Sequence, residues 1–278
     1  SAAPTPSVEI TIAIDGNMFK GRHDLKFGFG WRKSSVTSES GWPGNGVRTY
    51  HRGYPNMQAR VVRDWSLAGE GNYWNAYFGD TISLNRLTVN LGVRWDRSGS
   101  SVAAASVPAS IALPYFLPAL EAPPVENAIV FNNVTPRVGF TLALNESRRT
   151  VVRGSYAAFA SQLDSNRAAL TVSAIPYYSY VYYGAVDTNG NRIADVSEFT
   201  DFQGVAGFDP DNPLGGNPDR IGSYSSPLTH ELLFGVEHEL IRNFALAANV
   251  TWRRYDGFNW LKYPGVTGAD FTQAGVFA

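Results

Sequence analysis

The sequence predicts an all-β chain, an antiparallel transmembrane β-barrel with short periplasmic turns and long extracellular loops. Three observations predict it: hydropathy with a period of two in eight segments, short connections alternating with long ones, and tryptophans at one repeated strand position. Successive residues of a strand face opposite sides, so this alternation gives one apolar and one polar face. Lipid outside and water inside select that pattern in an outer-membrane barrel.

The elements follow in order. Residues 8–14 (VEITIAI) form a weak first strand, and a short connection over 15–22 leads to 23–33, where Leu25, Phe27, Phe29 and Trp31 oppose Lys26, Gly28, Gly30 and Arg32. A long loop over about 34–71 precedes the strand at 72–82 (NYWNAYFGDTI). The turn at 83–85 opens the clearest strand, 86–96, with Leu87, Val89, Leu91, Val93 and Trp95 on one side and Thr88, Asn90, Gly92 and Arg94 on the other. A second long loop, about 97–134, leads to strands at 135–144 and 150–159, joined by a short turn at 145–149. The third, about 160–227, leads to 229–240, a turn at 241–242, and 243–254 with Phe244, Leu246, Ala248, Val250 and Trp252 on one side. Eight strands of roughly ten residues result.

Because short and long connections alternate, the short turns gather at one end and the long loops at the other. Soluble domains rarely carry repeated loops of this length; outer-membrane barrels do. Trp31, Trp95 and Trp252 share the apolar side near the far ends of their strands, each followed within two residues by Arg, Lys or Asp. Amphipathic rings at one depth suit a membrane–water interface. The opposite face carries Lys26, Arg32, Arg94, Arg137, Arg153 and Glu237, among others, which a wet lumen holds at low desolvation cost. Closure follows from the solvent, since an open sheet edge in hydrocarbon leaves unpaired amides. A soluble β-sandwich with the tryptophans in its core is the competing fold, and it does not predict the loop asymmetry.

Composition narrows the function. Lys plus Arg is 23 and Asp plus Glu is 24, a formal charge of −1, which argues against nucleic acid as a partner. With no Cys, disulfides, thiolate metal sites and Cys nucleophiles are excluded. The most apolar stretch, 101–120, is interrupted by Pro108, Pro114 and Pro118, so no transmembrane helix is expected. The first residues, SAAPTPSVEI, lack a signal-peptide pattern, so a processed or truncated start is expected. No catalytic motif stands out: His230-Glu231 begins like a zinc-protease signature, but Phe234 occupies the place of the second His. The chain is expected not to be an enzyme and to require no cofactor.

HDLKFGFGWR, DTISLNRLTVNLGVRWD, TPRVGFTLALNESRRTVVRGSYAAFASQL and SPLTHELLFGVEHELIRNFALAANVTWRR resemble consecutive barrel hairpins of Oar-like TonB-dependent outer-membrane receptors. The resemblance covers most of the chain and rests on strand pattern. It implies a barrel of about twenty-two strands, an N-terminal plug, a TonB-type energy-transducing partner, and a small-molecule, glycan or peptide ligand. Residues 1–278 would then be part of one barrel domain in contact with outer-membrane lipid, without the plug and the C-terminal strands. The C-terminus at Ala278 lacks the terminal aromatic of such barrels, so an internal fragment of a longer receptor is expected. The expected function is ligand binding outside and energised uptake through the barrel. The alternatives are a small outer-membrane adhesion barrel and a soluble secreted carbohydrate-binding β-sandwich.

Two segments of the third long loop are candidate sites. In DTNGNRIADVSE, Asp187, Asn189, Asn191, Asp195 and Glu198 fall at positions 1, 3, 5, 9 and 12 of a calcium loop, a spacing that converges oxygens on a hard cation such as Ca2+. Position 6 departs from that pattern, with Arg192 where Gly is expected, and a polar Asn-Gly turn accounts for the same residues. Just upstream, Tyr177, Tyr178, Tyr180, Tyr182 and Tyr183 offer apolar rings with polar tips for a sugar or planar ligand; loop packing is the bland alternative.

Overall fold

The computed structural model describes residues 7–42, 44–165, 167–176, 178–214, 224–258 and 269. The chain opens with β1 (Val8–Lys20), β2 (His23–Ser40), β3 (Val47–His51), β4 (Asn56–Val61) and β5 (Trp65–Leu84). It continues with β6 (Leu87–Val102), β7 (Ala105–Val107), β8 (Leu120–Ala122), β9 (Val125–Ala143) and β10 (Thr150–Ala160). A five-residue helix, α1 (Arg167–Thr171), precedes β11 (Tyr180–Val186), β12 (Phe199–Ala206), β13 (Leu228–Ile241) and β14 (Phe244–Asp256).

Eight strands form one antiparallel sheet in the order β1-β2-β5-β6-β9-β10-β13-β14, and these are the eight the periodicity predicts. Each is paired with its sequence neighbours in the sheet, the up-and-down order of a barrel wall. Among the described residues β1 and β14 are the two edges and do not pair with each other. No helix among the described residues is long and apolar enough to cross a membrane; the crossing is made by strands.

The facing follows the sequence pattern. Phe27, Leu91 and Leu246 are 48%, 45% and 56% exposed, so the apolar side is an outer surface and not a dry core. That overturns the sandwich alternative, which needs these side chains packed inside. Trp31, Trp95 and Trp252 lie eight residues beyond the first residues of their strands, His23, Leu87 and Phe244. Eight residues rise about 27 Å along a strand, which at a tilt of ~45° is about 19 Å of depth, most of the ~25 Å apolar band. The rings therefore mark one interface. On the opposite face Arg153 pairs with Glu237 at 2.7 Å, Arg253 with Glu231 at 2.6 Å, and Arg94 with Asp96 at 3.0 Å.

One charged pair departs from the pattern. Asp80 shares the outward side with Phe78 and Ile82, lies in register between Leu25 and Leu91, and meets His23 Nδ1 at 2.7 Å. Its other oxygen, Oδ1, is buried without a hydrogen-bond partner among the described residues. His23 is the first residue of β2 and brings its end of the pair to the short-turn side, where a charge reaches water more readily than at mid-depth.

The strands are longer than the expected ten residues: β2, β5, β6 and β9 have 18, 20, 16 and 19. A twenty-residue strand is about 65 Å long, whereas crossing the apolar band at ~45° uses about 35 Å. The remainder projects past the tryptophans into the segments expected to be loops. The projecting part of β6 (RSGSSV) still alternates, but its inward side is now buried: Ser98, Ser100 and Val102, with Ile129 and Phe131 of β9, pack beneath α1. Ser100 holds that helix by donating to the Ser165 carbonyl at 2.8 Å and accepting the Ala168 N–H at 3.1 Å.

Candidate functional site

The first and third long loops meet in a second antiparallel sheet, ordered β12-β11-β4-β3. Its formation follows from short alternating segments. In β3, Val47 and Thr49 alternate with Arg48 and Tyr50; in β4, Met57, Ala59 and Val61 alternate with Gln58 and Arg60. Val61 of β4 is in register with both Val47 and Val181, and all three are buried. This apolar side, with Met57, Ala59, Ala185 and Leu117, is the main core outside the membrane.

The opposite side is cationic and aromatic. Arg48, Arg60 and Tyr182 stand in one row across β3, β4 and β11. The Arg60 guanidinium lies over Tyr50, Tyr180 and Tyr182, at 4.8, 4.9 and 5.1 Å from the ring centres. Arg48 lies over Trp42 and Tyr50, both at 5.0 Å. Arg63, two residues past the end of β4, donates to the Pro118 carbonyl at 2.6 Å and Ser179 Oγ at 3.4 Å. Burial pushes its pKa down to about 10, so it remains a cation at neutral pH. Trp42, Arg48, Arg60, Arg63, Ser179 and Tyr180 line a common cavity of about 60 Å³. Farther along the sheet, Arg52, Gln58, Gln203 and Asp201 are linked in series by hydrogen bonds of 2.9, 2.7 and 3.2 Å. The hydrogen bonds from Thr200 and Gln203 hold the Asp201 carboxyl below its ordinary range.

The tyrosine cluster divides. Tyr178 stacks on Tyr180 with centres 5.5 Å apart, and Tyr180 and Tyr182 join the arginines. Tyr183 is on the other side, stacked on Phe199 at 5.0 Å and packed against the core. Tyr177 lies outside the described residues.

Residues 187–198 form a self-bonded loop. Asp187 accepts the N–H groups of Gly190 and Arg192 at 2.7 and 3.1 Å. Glu198 Oε1 accepts from Thr188 and Asn189, and its Oε2 accepts the Asp195 N–H at 3.2 Å. These bonds, led by the Thr188 backbone N–H, hold the Glu198 carboxyl below its ordinary range. The Asn189 and Asn191 amides both donate to Asp195 Oδ2, at 3.1 and 3.2 Å. Arg192 takes the left-handed conformation that the missing glycine would favour, with φ +62°. Among the described residues no three His, Cys, Asp or Glu side chains form a metal-holding group.

Sequence reasoning did not find Arg48, Arg60 or Arg63. The available signal was the period of two in VRTYH and NMQARV, inside a segment expected to be loop.

A family model described as "Outer membrane beta barrel domain" matches residues 3–250. The chain belongs to that family. The barrel therefore resides in the bacterial outer membrane, with its short turns on the periplasmic side and the second sheet outside the cell. Among solved structures, the crystal structure of the siderophore receptor PiuA from Acinetobacter baumannii is similar at 12% identity and a TM-score of 0.34. The match covers 90% of this chain and 38% of that receptor, so the chain spans less than half of that receptor's length. No curated protein matches.

Proposed function

We propose that the chain is the wall and outer loops of a TonB-dependent receptor of the Oar-like kind. It would bind a small-molecule, glycan or peptide ligand outside the cell for energised uptake. The observation that carries this reading is the second sheet: two long loops far apart in sequence combine to present one polar, aromatic side. A wall serving only as an anchor has no need of such a surface. No bond is made or broken in this picture; the work is selective binding followed by gated passage. The plug, the remaining strands of a barrel of about twenty-two, and the segment that engages the TonB-type complex would come from parts of the receptor outside this chain.

Tyr180 and Tyr182 belong to the ligand-binding side in this proposal, with Tyr178 supporting Tyr180. Asp187, Asn189, Asn191, Asp195 and Glu198 form a loop that Ca2+ would order, with no catalytic part. Growth on a panel of sole nutrient sources tests the function, in strains lacking either the receptor or the energising partner. Growth lost in both strains on the same source is the expected result. Receptor-dependent attachment that survives loss of the energising partner, with no growth defect, would support the adhesion barrel instead.

A further inference from the structure

The row of arginines on the outer sheet raises a problem of charge. Arg48 and Arg60 are direct cross-strand partners on adjacent strands, where like charges destabilise a sheet. Arg63 brings a third guanidinium to the same cavity. Among the described residues no carboxylate lies within ion-pairing distance of any of the three. The nearby acids are otherwise engaged: Asp64 accepts the Trp42 amide at 2.6 Å, and Glu39 accepts Ser66 at 3.2 Å.

Aromatic rings hold the arginines in place. Stacking uses the flat faces of a guanidinium and leaves its N–H edge free to donate in plane. For Arg60 the Nε–H is buried and has no acceptor among the described residues. A planar fork of donors matches a carboxylate or a phosphate, which accepts two such bonds at once. The cavity adds the Ser179 hydroxyl and the Trp42 and Tyr180 rings beside the charges.

We propose that Arg48, Arg60 and Arg63, fixed by Trp42, Tyr50, Tyr180 and Tyr182, form a site for an oxyanion, the carboxylate or phosphate group of a soluble extracellular ligand. The anion removes the repulsion between the paired arginines. The site rests on the receptor reading for its purpose, but not for its chemistry.

Calorimetric titration of the full chain in detergent micelles tests it, with glucuronate and inorganic phosphate as probes and at two salt concentrations. Saturable binding of at least one probe, weakened by salt, is expected. Arg48→Gln and Arg60→Gln should each weaken it about tenfold, while Arg52→Gln, which removes an equal charge nearby, should not. Arg60→Lys keeps the charge and loses the fork, so it should also bind more weakly while the outer sheet stays resistant to protease. Absence of saturable binding by both probes into the millimolar range overturns the proposal. So does an equal effect of Arg52→Gln, or unchanged binding by Arg60→Lys. Oxyanion binding without energised uptake would remove the receptor reading and leave this site standing. Uptake with no oxyanion binding would do the reverse.

Discussion

Replacing Leu91 by Arg probes the orientation of the whole wall. Leu91 is the fifth residue of β6 and lies four residues below Trp95, midway through the apolar band. Its side chain is 45% exposed on the lipid side. An arginine at mid-depth of a barrel's lipid face costs about 2–4 kcal/mol, falling toward the interfaces. The register modifies that figure, because Leu91 is directly opposite Asp80, whose Oδ1 lacks a partner among the described residues. An ion pair between the introduced guanidinium and Asp80 would return about 1 kcal/mol, leaving a net cost of about 1–3 kcal/mol in the native background. In an Asp80→Asn background the full 2–4 kcal/mol should appear, so the double-mutant cycle should show a coupling of about 1 kcal/mol. Urea unfolding of the protein in lipid vesicles, followed by heat-modifiable gel migration, measures both. Asn90→Arg is the control: Asn90 accepts from Thr81 at 2.9 Å on the lumenal face, and an arginine there meets water. Equal tolerance of Leu91→Arg and Asn90→Arg would refute the facing, and an absent coupling would refute the role given to Asp80.

Three further outcomes follow from the outer segments. Val181→Ala, fully buried between β4 and β12, should lower the stability of the second sheet by about 2 kcal/mol, seen as faster loop proteolysis with unchanged heat-modifiable migration of the wall. Glu198 has a folded pKa held below its ordinary 4.5, so its stabilisation is complete above that value and is lost as pH falls through the lower folded value. Proteolysis of 187–198 should therefore stay constant from neutral pH down to about 4.5 and rise below it, and Glu198→Gln should abolish the step. Arg192→Gly should relieve the left-handed backbone at φ +62° and remove a cation from the loop, strengthening protection by Ca2+. Protection that does not change up to millimolar calcium, in either chain, would remove the ion from the proposal.

The membrane-level wall was legible because lipid imposes one requirement on every strand. Leu87, Val89, Leu91 and Val93 have to face the same way, and Trp95 has to stop at the interface, so the pattern repeats from β2 to β14. Beyond the tryptophans that requirement lapses. The upper part of β6 (RSGSSV) is as regular as the lower part, yet its small polar residues carry no hydropathy contrast and read as loop. The outer sheet was hidden for a related reason: β3 and β4 have five and six residues, and β11, the strand that pairs with β4, is more than a hundred residues away in sequence. Asp80 was not legible at all, since its charge sits on the side that the pattern assigns to lipid and only the contact with His23 accounts for it. The tyrosines were half legible. Composition marked the cluster, but alternation in β11 separates Tyr182 from Tyr183, so only one of that pair reaches the arginines.

Among the described residues the large sheet has two unpaired borders, and they have a consequence for insertion into lipid. Along β1, thirteen residues long, about every second residue turns both its amide and its carbonyl away from β2, and β14 does the same on the far border. Stripped of water, those groups would cost on the order of tens of kcal/mol, more than a folded domain has to spare. A ribbon with both borders left open would therefore have no resting place in a bilayer. A wall of this kind has to have both borders paired before or as it enters the lipid, so strand pairing and insertion are one event.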